Sequence, residues 1–269
     1  MRDSRFFRVA VIGAGAIGQS FAASLFKEHI DEISFLDLRE TPGFLTDERY
    51  GRLSRIHELV AWRPDVVVEC AGHNAVATIV PQVLREGFDV VLSSVGALAT
   101  PDVRASLSSS ARVGGSRLIP IAGAVGGIDA LSAAARSGLD VVTYTGRKPP
   151  IAWSGTAAAQ EVNLDELTSP QVIFAGTAEE AAIKYPANAN VAAAVAIHGL
   201  GFEKTTVTLI ADPTIRLNCH EIYAKSKSGE LRISMSNEPS PGNPKTSWLA
   251  ALSLQQTVVN KVLGVQWVT

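Results

Sequence analysis

The sequence of 269 residues is poor in cysteine and in charge of either sign. Its two cysteines, Cys70 and Cys219, are too few for the disulfide framework of a small secreted domain. Lysine and arginine together number 24 and aspartate and glutamate 26, so the formal net charge is −2. Such a balance does not favour binding to nucleic acid or to an anionic membrane. These shortages predict a cytoplasmic protein that acts on small molecules.

Long hydrophobic runs are also missing. The most apolar run, Val191 to Ile197, is far shorter than the roughly 20 residues that span a bilayer. The N-terminus resembles a signal peptide, with Arg2, Arg5 and Arg8 before an apolar stretch, but that stretch runs directly into a glycine-rich loop. We therefore expect neither a membrane anchor nor an exported protein.

Apolar residues are plentiful, at 46% of the total, and the chain is long enough for two modest domains. In the first part, short β-branched runs alternate with helical patterns, which predicts an α/β domain with a doubly wound parallel sheet. The predicted strands are Val9–Ile12, Ile33–Leu36, Val66–Glu69, Val90–Ser93 and Leu118–Ile121. The predicted helices are Ile17–Lys27, Arg55–Trp62, Ala75–Glu86 and Pro101–Ala111.

Beyond about residue 122 the pattern changes to that of a smaller α/β domain with a mixed sheet. The predicted elements are a helix at Ile128–Ala135 and strands at Val141–Thr145, Val172–Phe174, Thr205–Ile210, Ile222–Ser226 and Leu231–Met235. The last two strands flank Lys227-Ser228-Gly229, which is typical of a hairpin turn. A final amphipathic helix, at about 246–269, is expected to pack back on the first domain.

A glycine motif, Gly13-Ala14-Gly15-Ala16-Ile17-Gly18, joins the first predicted strand to the first predicted helix. Gly13 allows a tight turn, Gly15 lets a pyrophosphate approach the backbone, and Gly18 lets helix and strand pack closely. The N–H groups that begin the helix, those of Ala16 and Ile17 among them, favour the phosphate charge. The motif predicts a dinucleotide-binding Rossmann domain at residues 1–122 and a substrate and catalytic domain at 123–245.

Asp37 follows the second predicted strand, where a carboxylate accepts hydrogen bonds from the ribose hydroxyls and repels a 2′-phosphate. Asp37 therefore favours NAD as the cofactor. Arg39, two positions further along, is suited to a 2′-phosphate, so use of NADP stays open.

Among the five histidines, His220 is the main candidate for proton transfer because it begins a polar strand in the predicted substrate domain. Neighbouring side chains of a strand point to opposite faces, so Cys219 is not expected to form a dyad with it. His29 and His57 fit surface positions, His73 a place near the cofactor, and His198 a helix end or core. No metal site is predicted.

The segment Asn243-Pro244-Lys245-Thr246-Ser247 precedes the final predicted helix, with Thr246 or Ser247 as its N-cap. Backbone N–H groups and Lys245 at this place suit a substrate carboxylate. A simple helix start explains the same residues, so both interpretations stay open. If the segment is only a helix start, Lys148, Arg147 and Lys225 are the next candidates to hold the second carboxylate of the substrate.

These motifs together resemble the L-aspartate dehydrogenase family. The matching stretches are the glycine motif and residues 93–98, 123–131, 147–150, 185–192, 210–213, 218–220 and 243–247, which span nearly the whole chain. The resemblance implies a Rossmann domain plus a smaller α/β domain that supports a homodimer. It also implies that His220 is the catalytic residue and that Ala124 and Asn190 contact the cofactor near the nicotinamide.

The implied reaction is the NAD(P)-dependent oxidative deamination of L-aspartate to iminoaspartate, or to oxaloacetate and ammonia, feeding NAD biosynthesis. The sequence departs from the family at Ala122, where a serine is expected, and Ser93 and Ser94 are candidates to replace that hydroxyl. Two alternatives stay open. One is a cyclic-imine reductase of the dihydrodipicolinate reductase type, whose basic histidine-rich segment finds no match here. The other is a non-catalytic NAD sensor, which would not need His220.

Overall fold

The structure, a computed structural model, describes residues 7–25, 30–37, 48–241 and 243–263, with the backbone alone at residues 16, 243, 244 and 263. These residues form two compact units. The first unit contains the described residues of 1–97, 101–121 and 254–263, and the second contains 98–100 and the described residues of 122–253. That the first unit binds the dinucleotide and the second the substrate stays a prediction.

A parallel sheet forms the centre of the first unit. Its strands are β1 (Arg8–Ile12), β2 (Glu32–Leu36), β3 (Tyr50–Leu53), β4 (Val66–Glu69), β5 (Val90–Leu92) and β6 (Leu118–Pro120). They lie in the order β3-β2-β1-β4-β5-β6. The order reverses at β1, and in sheets of this kind ligands bind in the crevice beyond the strand ends at such a reversal. The predicted doubly wound sheet is confirmed.

The helices of this unit are α1 (Ala16–Leu25), α2 (Ile56–Trp62), α3 (His73–Thr78), α4 (Val80–Arg85) and α5 (Pro101–Gly114). Over Ala75–Glu86, where one helix was predicted, the structure has two helices, α3 and α4, interrupted at Ile79. Pro81 explains the break, since proline cannot donate the backbone hydrogen bond of a helix interior but fits a first turn. Sequence patterns also missed the short edge strand β3, which contains Gly51 and Arg52.

A mixed sheet forms the second unit. Its strands are β7 (Leu139–Lys148), β8 (Gln171–Thr177), β9 (Thr206–Ala211), β10 (Asn218–Ser226) and β11 (Gly229–Asn237). They lie in the order β11-β10-β7-β9-β8. β7 and β9 are parallel and the other neighbours antiparallel. The predicted strands are confirmed, each with somewhat different ends.

The helices of the second unit are α6 (Ile128–Ala135), α7 (Ala158–Glu161), α8 (Ala178–Lys184) and α9 (Asn190–His198). A last helix, α10 (Trp248–Leu263), begins in the second unit, and its residues from Leu254 onward belong to the first. In the ranges the structure describes, the helices fall short of the length and apolarity needed to cross a membrane.

The last helix begins at Trp248, directly after Ser247, which is one of the two predicted N-cap residues. Residues Asn243–Ser247 form a strand, β13, that pairs with the short strand β12 (Pro239–Ser240). Asn243 precedes Pro244, and a residue before proline is disfavoured in helical geometry. The backbone N–H of Trp248, the first residue of α10, donates to the carbonyl of Glu238 at 2.9 Å. The segment is therefore held extended up to Ser247.

One face of the mixed sheet is buried and carries polar side chains. On β7 every second residue from Val142 to Lys148 points to this face, and on β10 every second residue from Asn218 does so. A Cβ atom at Gly199, which ends α9, would lie 3.3 Å from Val142, so α9 packs on this face. Polar groups in such a position need partners in the protein or in a ligand.

Candidate active site

The glycine loop of the first unit has the shape that a pyrophosphate requires. Gly13 has φ +97°, and a Cβ there would lie 2.7 Å from the Cβ of Ala71. A Cβ at Gly18 would collide with the carbonyl of Gly13. At Gly15 a Cβ would meet nothing within 4 Å, which leaves space for a phosphate to approach the backbone. Ala16 and Ile17 form the first turn of α1, whose free N–H groups favour an anion.

Asp37 follows β2 and is buried. Its Oδ2 accepts a hydrogen bond of 2.9 Å from the backbone N–H of Ala14, inside the glycine loop. The carboxylate thus fixes the loop as well as lying at the edge where a ribose is predicted. Contact with the ribose stays a prediction, and Arg39 lies outside the described residues.

Glu69, a residue that sequence patterns did not single out, ends the buried strand β4 and organises the two loops beside it. Its Oε1 accepts from the backbone N–H groups of Ala71 and Gly72, both at 2.7 Å. Its Oε2 accepts from the backbone N–H of Ser94 at 2.9 Å. Burial raises the pKa of Glu69, while these backbone hydrogen bonds oppose the rise. The usable sequence signal is a glutamate at the end of an otherwise apolar strand.

Ser94 is a candidate to replace the serine hydroxyl expected at position 122, but its own hydroxyl is already bonded within the protein. Its hydroxyl donates to Oε1 of Glu69 at 3.0 Å, so it supports the loop after β5. Ser93 interacts with the thiol of Cys70, whose pKa burial raises. His73 is the first residue of α3, and its predicted place near the cofactor stays a prediction.

His220 lies at the centre of the polar cluster in the second unit. Its side chain is 1% exposed. Its Nδ1 lies 2.8 Å from the hydroxyl of Tyr144 on β7, and its Nε2 lies 3.2 Å from the hydroxyl of Ser247 at the end of β13. Cys219 points to the other face, toward Ser236. The predicted separation of Cys219 and His220 is confirmed.

Gly146 makes the contact between Tyr144 and His220 possible. It pairs directly with His220 across the β7–β10 ladder. A Cβ at this position would lie 2.7 Å from the hydroxyl of Tyr144. Any residue other than glycine at position 146 would therefore displace the phenol hydroxyl of Tyr144.

Lys148, the last residue of β7, brings a positive charge to the same buried face. Its Nζ donates to the backbone carbonyl of Lys245 at 3.1 Å and lies 5.7 Å from the ring centre of Trp153. Among the described residues no carboxylate lies within ion-pair distance of it. Burial lowers the pKa of Lys148 to about 8, so the amine is still mostly charged at neutral pH.

Burial also fixes the protonation of the neighbouring groups. It lowers the pKa of His220 to about 3, with a smaller contribution from the charge of Lys148. Burial raises the pKa of the Tyr144 phenol. At neutral pH the site thus contains a neutral imidazole, a neutral phenol and a cationic amine. A neutral imidazole can accept a proton, and a nearby cation can hold an anionic substrate.

Two buried asparagines of the second unit also escaped sequence reasoning. Neither side-chain polar atom of Asn218 has a hydrogen-bond partner among the described residues, although the residue is fully buried. Asn188 donates to the carbonyl of Ala152 at 3.1 Å, but its Oδ1 is likewise unpartnered there.

Ala124, an expected cofactor contact, accepts a hydrogen bond of 2.7 Å from Asn237. Asn190, the other, begins α9.

The other predicted residues are dispersed. The backbone carbonyl of Lys245 contacts Lys148, while the side chain of Lys245 lies near Gly155. Thr246 is half-buried in β13, and the side chain of Asn243 lies outside what the structure describes. Arg147 forms an ion pair of 2.9 Å with Asp212. The remaining candidates are a lysine on the exposed face of β10 and two histidines on helices, namely Lys225, His57 and His198. His29 lies outside the described residues.

Both halves of the chain match models of known protein families. Residues 129–261 match the family model described as aspartate dehydrogenase, C-terminal, and residues 13–119 that of homoserine dehydrogenase, NAD binding domain. An L-aspartate dehydrogenase of Polaromonas sp. is 41% identical over 259 residues, covering 94% of this chain and 97% of the relative. One from Cupriavidus taiwanensis is 41% identical over 264 residues, covering 96% and 98%.

A solved structure agrees with these relatives. The crystal structure of aspartate dehydrogenase from Thermotoga maritima matches with a TM-score of 0.78 at 26% identity, covering 98% of this chain and 100% of that chain. The predicted family resemblance and the Rossmann fold are confirmed.

The first prediction concerns Asp37. Asn at this position keeps an oxygen for the N–H of Ala14 but removes the charge that repels a 2′-phosphate. We expect Asp37→Asn to shift the ratio of the NADH and NADPH dissociation constants at least about tenfold toward NADPH, because one charge contact is worth about 1.4 kcal/mol or more. Fluorescence titration with both cofactors measures the ratio. An unchanged ratio would place the ribose away from Asp37.

The second prediction follows from the burial of His220. The pKa is about 3 in the folded state and 6.5 as the ordinary value, so the unfolded chain binds a proton that the folded chain does not between these pH values. This contribution to stability is complete above pH 6.5 and is lost as the pH falls toward 3. Between pH 7 and pH 5 it amounts to about 2 kcal/mol.

The variant His220→Gln should therefore lose about 2 kcal/mol less stability than the wild type on going from pH 7 to pH 5. Urea unfolding at both pH values measures the difference. His57→Gln, on the exposed side of α2, is the matched control. Equal losses in wild type and His220→Gln would show that His220 is not buried as a neutral group.

Proposed function

Because the chain belongs to the L-aspartate dehydrogenase family, we propose that it catalyses the NAD(P)-dependent oxidative deamination of L-aspartate. The products are iminoaspartate or, after hydrolysis, oxaloacetate and ammonia, and the reaction is suited to feeding NAD biosynthesis. One structural observation supports the proposal independently of family membership. A buried imidazole lies between two hydroxyls, and on the same sheet face Lys148 has no carboxylate partner among the described residues, which suits a site that holds an anionic amino acid against a proton acceptor.

The glycine loop of the first unit would bind the pyrophosphate, through Gly13, Gly15, Ala16, Ile17 and Gly18, and Asp37 the ribose. The open space at Gly15 supports this assignment. The family resemblance adds Ala124 and Asn190 as contacts near the nicotinamide. Bound NAD(P) supplies the acceptor for the hydride that leaves Cα of aspartate.

His220 is proposed as the base. The substrate amine must lose a proton before its lone pair can form the C=N bond, as the Cα–H bond breaks and the hydride departs. Nε2 accepts this proton if Nδ1 carries the other hydrogen and donates it to the oxygen of Tyr144, 2.8 Å away. Tyr144 is then a positioning residue that selects the tautomer. In the hydrolytic step Nε2 can activate the water that adds to the imine.

The segment of Asn243, Lys245, Thr246 and Ser247 is proposed to bind substrate. The contact between Ser247 and His220 supports this role, because it brings the end of β13 to the base. Lys245 adds a positive charge to the same strand.

We further propose that the protein is cytoplasmic and acts as a homodimer. The free thiols of Cys70 and Cys219 fit a reducing compartment. The face of the mixed sheet opposite to His220 is only partly buried and includes Val141, which is 40% exposed. An open sheet face of this kind suits a second copy of the chain, as the family resemblance implies.

The third prediction tests the reaction. With ammonia and NADH, the enzyme should consume oxaloacetate, seen as loss of NADH absorbance, and should use pyruvate roughly 10⁴-fold less efficiently, because the groups for a second carboxylate would be left unpaired. His220→Ala should lower kcat by about 10²-fold or more with little change in NADH affinity. His198→Ala is the control and should keep most of kcat.

A cyclic-imine reductase would instead turn over cyclic imines in preference to oxaloacetate with ammonia, and a non-catalytic sensor would bind NADH without turnover. Either result would overturn the proposed function. Full activity of His220→Ala alone would overturn the role of that residue.

The fourth prediction tests the tautomer. Tyr144→Phe should reduce kcat about tenfold, since a hydrogen bond that orients the imidazole is lost, with the KM for aspartate and the NADH affinity nearly unchanged. Gly146→Ala should reproduce the loss of kcat, because its Cβ displaces the Tyr144 hydroxyl. Tyr223→Phe, on the opposite face of β10, is the matched control. A kcat of Tyr144→Phe within twofold of wild type would contradict this role.

A further inference from the structure

We propose that Lys148 and Asn218 form the subsite that binds one carboxylate of the substrate, next to His220 on the buried face of the mixed sheet. The inference rests on the proposed function and specifies which residues recognise the substrate. The sequence-based expectation assigned substrate binding first to residues 243–247 and kept Lys148 as a further candidate, while it gave Asn218 no role.

The state of Asn218 is the first observation. The side chain is fully buried, and in the described part of the chain neither Nδ2 nor Oδ1 has a hydrogen-bond partner. Its strand neighbour Asn237, by contrast, donates to the carbonyl of Ala124. A buried amide without partners destabilises the folded protein, so its retention calls for a ligand that completes it.

The charge of Lys148 is the second, independent observation. The ammonium group has a single hydrogen bond, to the backbone carbonyl of Lys245, and has no carboxylate partner among the described residues. A buried cation without a counterion is costly, and an incoming carboxylate would supply that counterion. Lys148 therefore has the charge and Asn218 the additional N–H donor that a carboxylate accepts.

The strand register brings the two residues together. Cys219 pairs with Arg147, and His220 with Gly146, in the antiparallel ladder of β10 and β7. Asn218 and Lys148 are the next residues on the two strands. Both are buried, and both are two positions from the central pair of His220 and Gly146, so all lie on one face. The Coulombic effect of Lys148 on His220 agrees with this proximity.

The chemistry of these groups specifies an amino acid that carries an anionic group close to its amine. The carboxylate would lie against Nζ of Lys148 and Nδ2 of Asn218. The remaining acceptor, Oδ1 of Asn218, can accept a hydrogen bond from the substrate amine, whose proton His220 removes. The second carboxylate of aspartate is left for the segment of Lys245, Thr246 and Ser247.

The experiment compares four variants with the wild type. Lys148→Met and Asn218→Leu remove the polar groups at similar volume, Lys148→Arg restores a charge, and Lys204→Met, an exposed lysine just before β9, is the matched control. The measurements are the KM for aspartate, the inhibition constant of succinate, the NADH dissociation constant, and the melting temperature with and without succinate. Succinate serves as a dicarboxylate probe that does not react.

We expect Lys148→Met and Asn218→Leu to raise both the KM for aspartate and the inhibition constant of succinate by about 10- to 100-fold, the range for a lost charged hydrogen bond. The NADH dissociation constant should stay within about twofold. Lys148→Arg should recover part of the succinate affinity, and Lys204→Met should match the wild type.

The melting temperature separates binding from structure. Ligand-free Lys148→Met and Asn218→Leu should melt at or above the wild-type temperature, because each replaces a buried unsatisfied group by an apolar one. The rise in melting temperature that succinate gives the wild type should disappear in both. A purely structural role predicts the opposite, a lower melting temperature with the succinate effect retained.

If Asn218→Leu fails to fold, Asn218→Asp provides the test, because it is nearly isosteric and its carboxylate would pair with Lys148 in place of the ligand. Succinate affinity within about twofold of wild type in Lys148→Met, or in both Asn218 variants, would overturn the subsite. Failure of the proposed function is distinguishable, since the wild type would then bind succinate at this subsite but not turn over aspartate.

Discussion

The hydrogen bond between Tyr144 and His220 is the interaction on which the rest of the second unit's polar cluster depends. It requires glycine opposite the histidine, since a Cβ at residue 146 would lie 2.7 Å from the phenol hydroxyl, too close for the hydroxyl to keep its place. It requires a sheet face covered well enough to keep the imidazole neutral, and α9 contributes to that cover. The same cover deprives Lys148 and Asn218 of water, so a single constraint sets the protonation of the base and creates the demand for an anionic ligand.

A buried carboxylate has the corresponding role in the first unit. Glu69 gathers the N–H groups of the loops after β4 and β5, while Asp37 holds the glycine loop after β2. These loops all follow the carboxyl ends of parallel strands, where a ligand of such a sheet binds. Their shape is therefore set by side chains that the sheet itself positions, before any cofactor is bound. Preorganisation of this kind reduces the ordering cost of binding.

Local patterns were sufficient for most of the fold. Fully apolar strands such as β5, and a glycine motif between strand and helix, indicated a parallel sheet because burial on both faces and close backbone packing leave few alternatives. Sequence patterns failed where the deciding contact was distant or the segment short. β3 is a short edge strand with a glycine and an arginine, and residues 243–247 are extended because they pair with β12.

The candidate site was less accessible from the sequence, for a related reason. His220 was identified by residue type and by family resemblance, and its catalytic role is still a prediction. Tyr144 and Asn218 look like ordinary strand residues, because their significance depends on which strand lies beside them and in what register. The Asn-Cys-His sequence displays Asn218 and His220 two residues apart, but only the sheet shows that both face the side of Lys148.

The buried polar groups of the second unit differ in stability from those of a purely structural core. The stability of a core increases when a buried polar group has a hydrogen-bond partner in the protein, as Asn237 has in the carbonyl of Ala124. Asn218 and Lys148 each carry a cost in the ligand-free state, because among the described residues the amide lacks hydrogen-bond partners and the ammonium lacks a counterion. Two such costs on one face of one sheet would be removed by ordinary selection for stability unless a ligand offset them. An anionic amino acid offsets both at once, because its carboxylate pairs with the cation and its polar hydrogens meet the amide oxygen, and it brings its amine to the imidazole of His220.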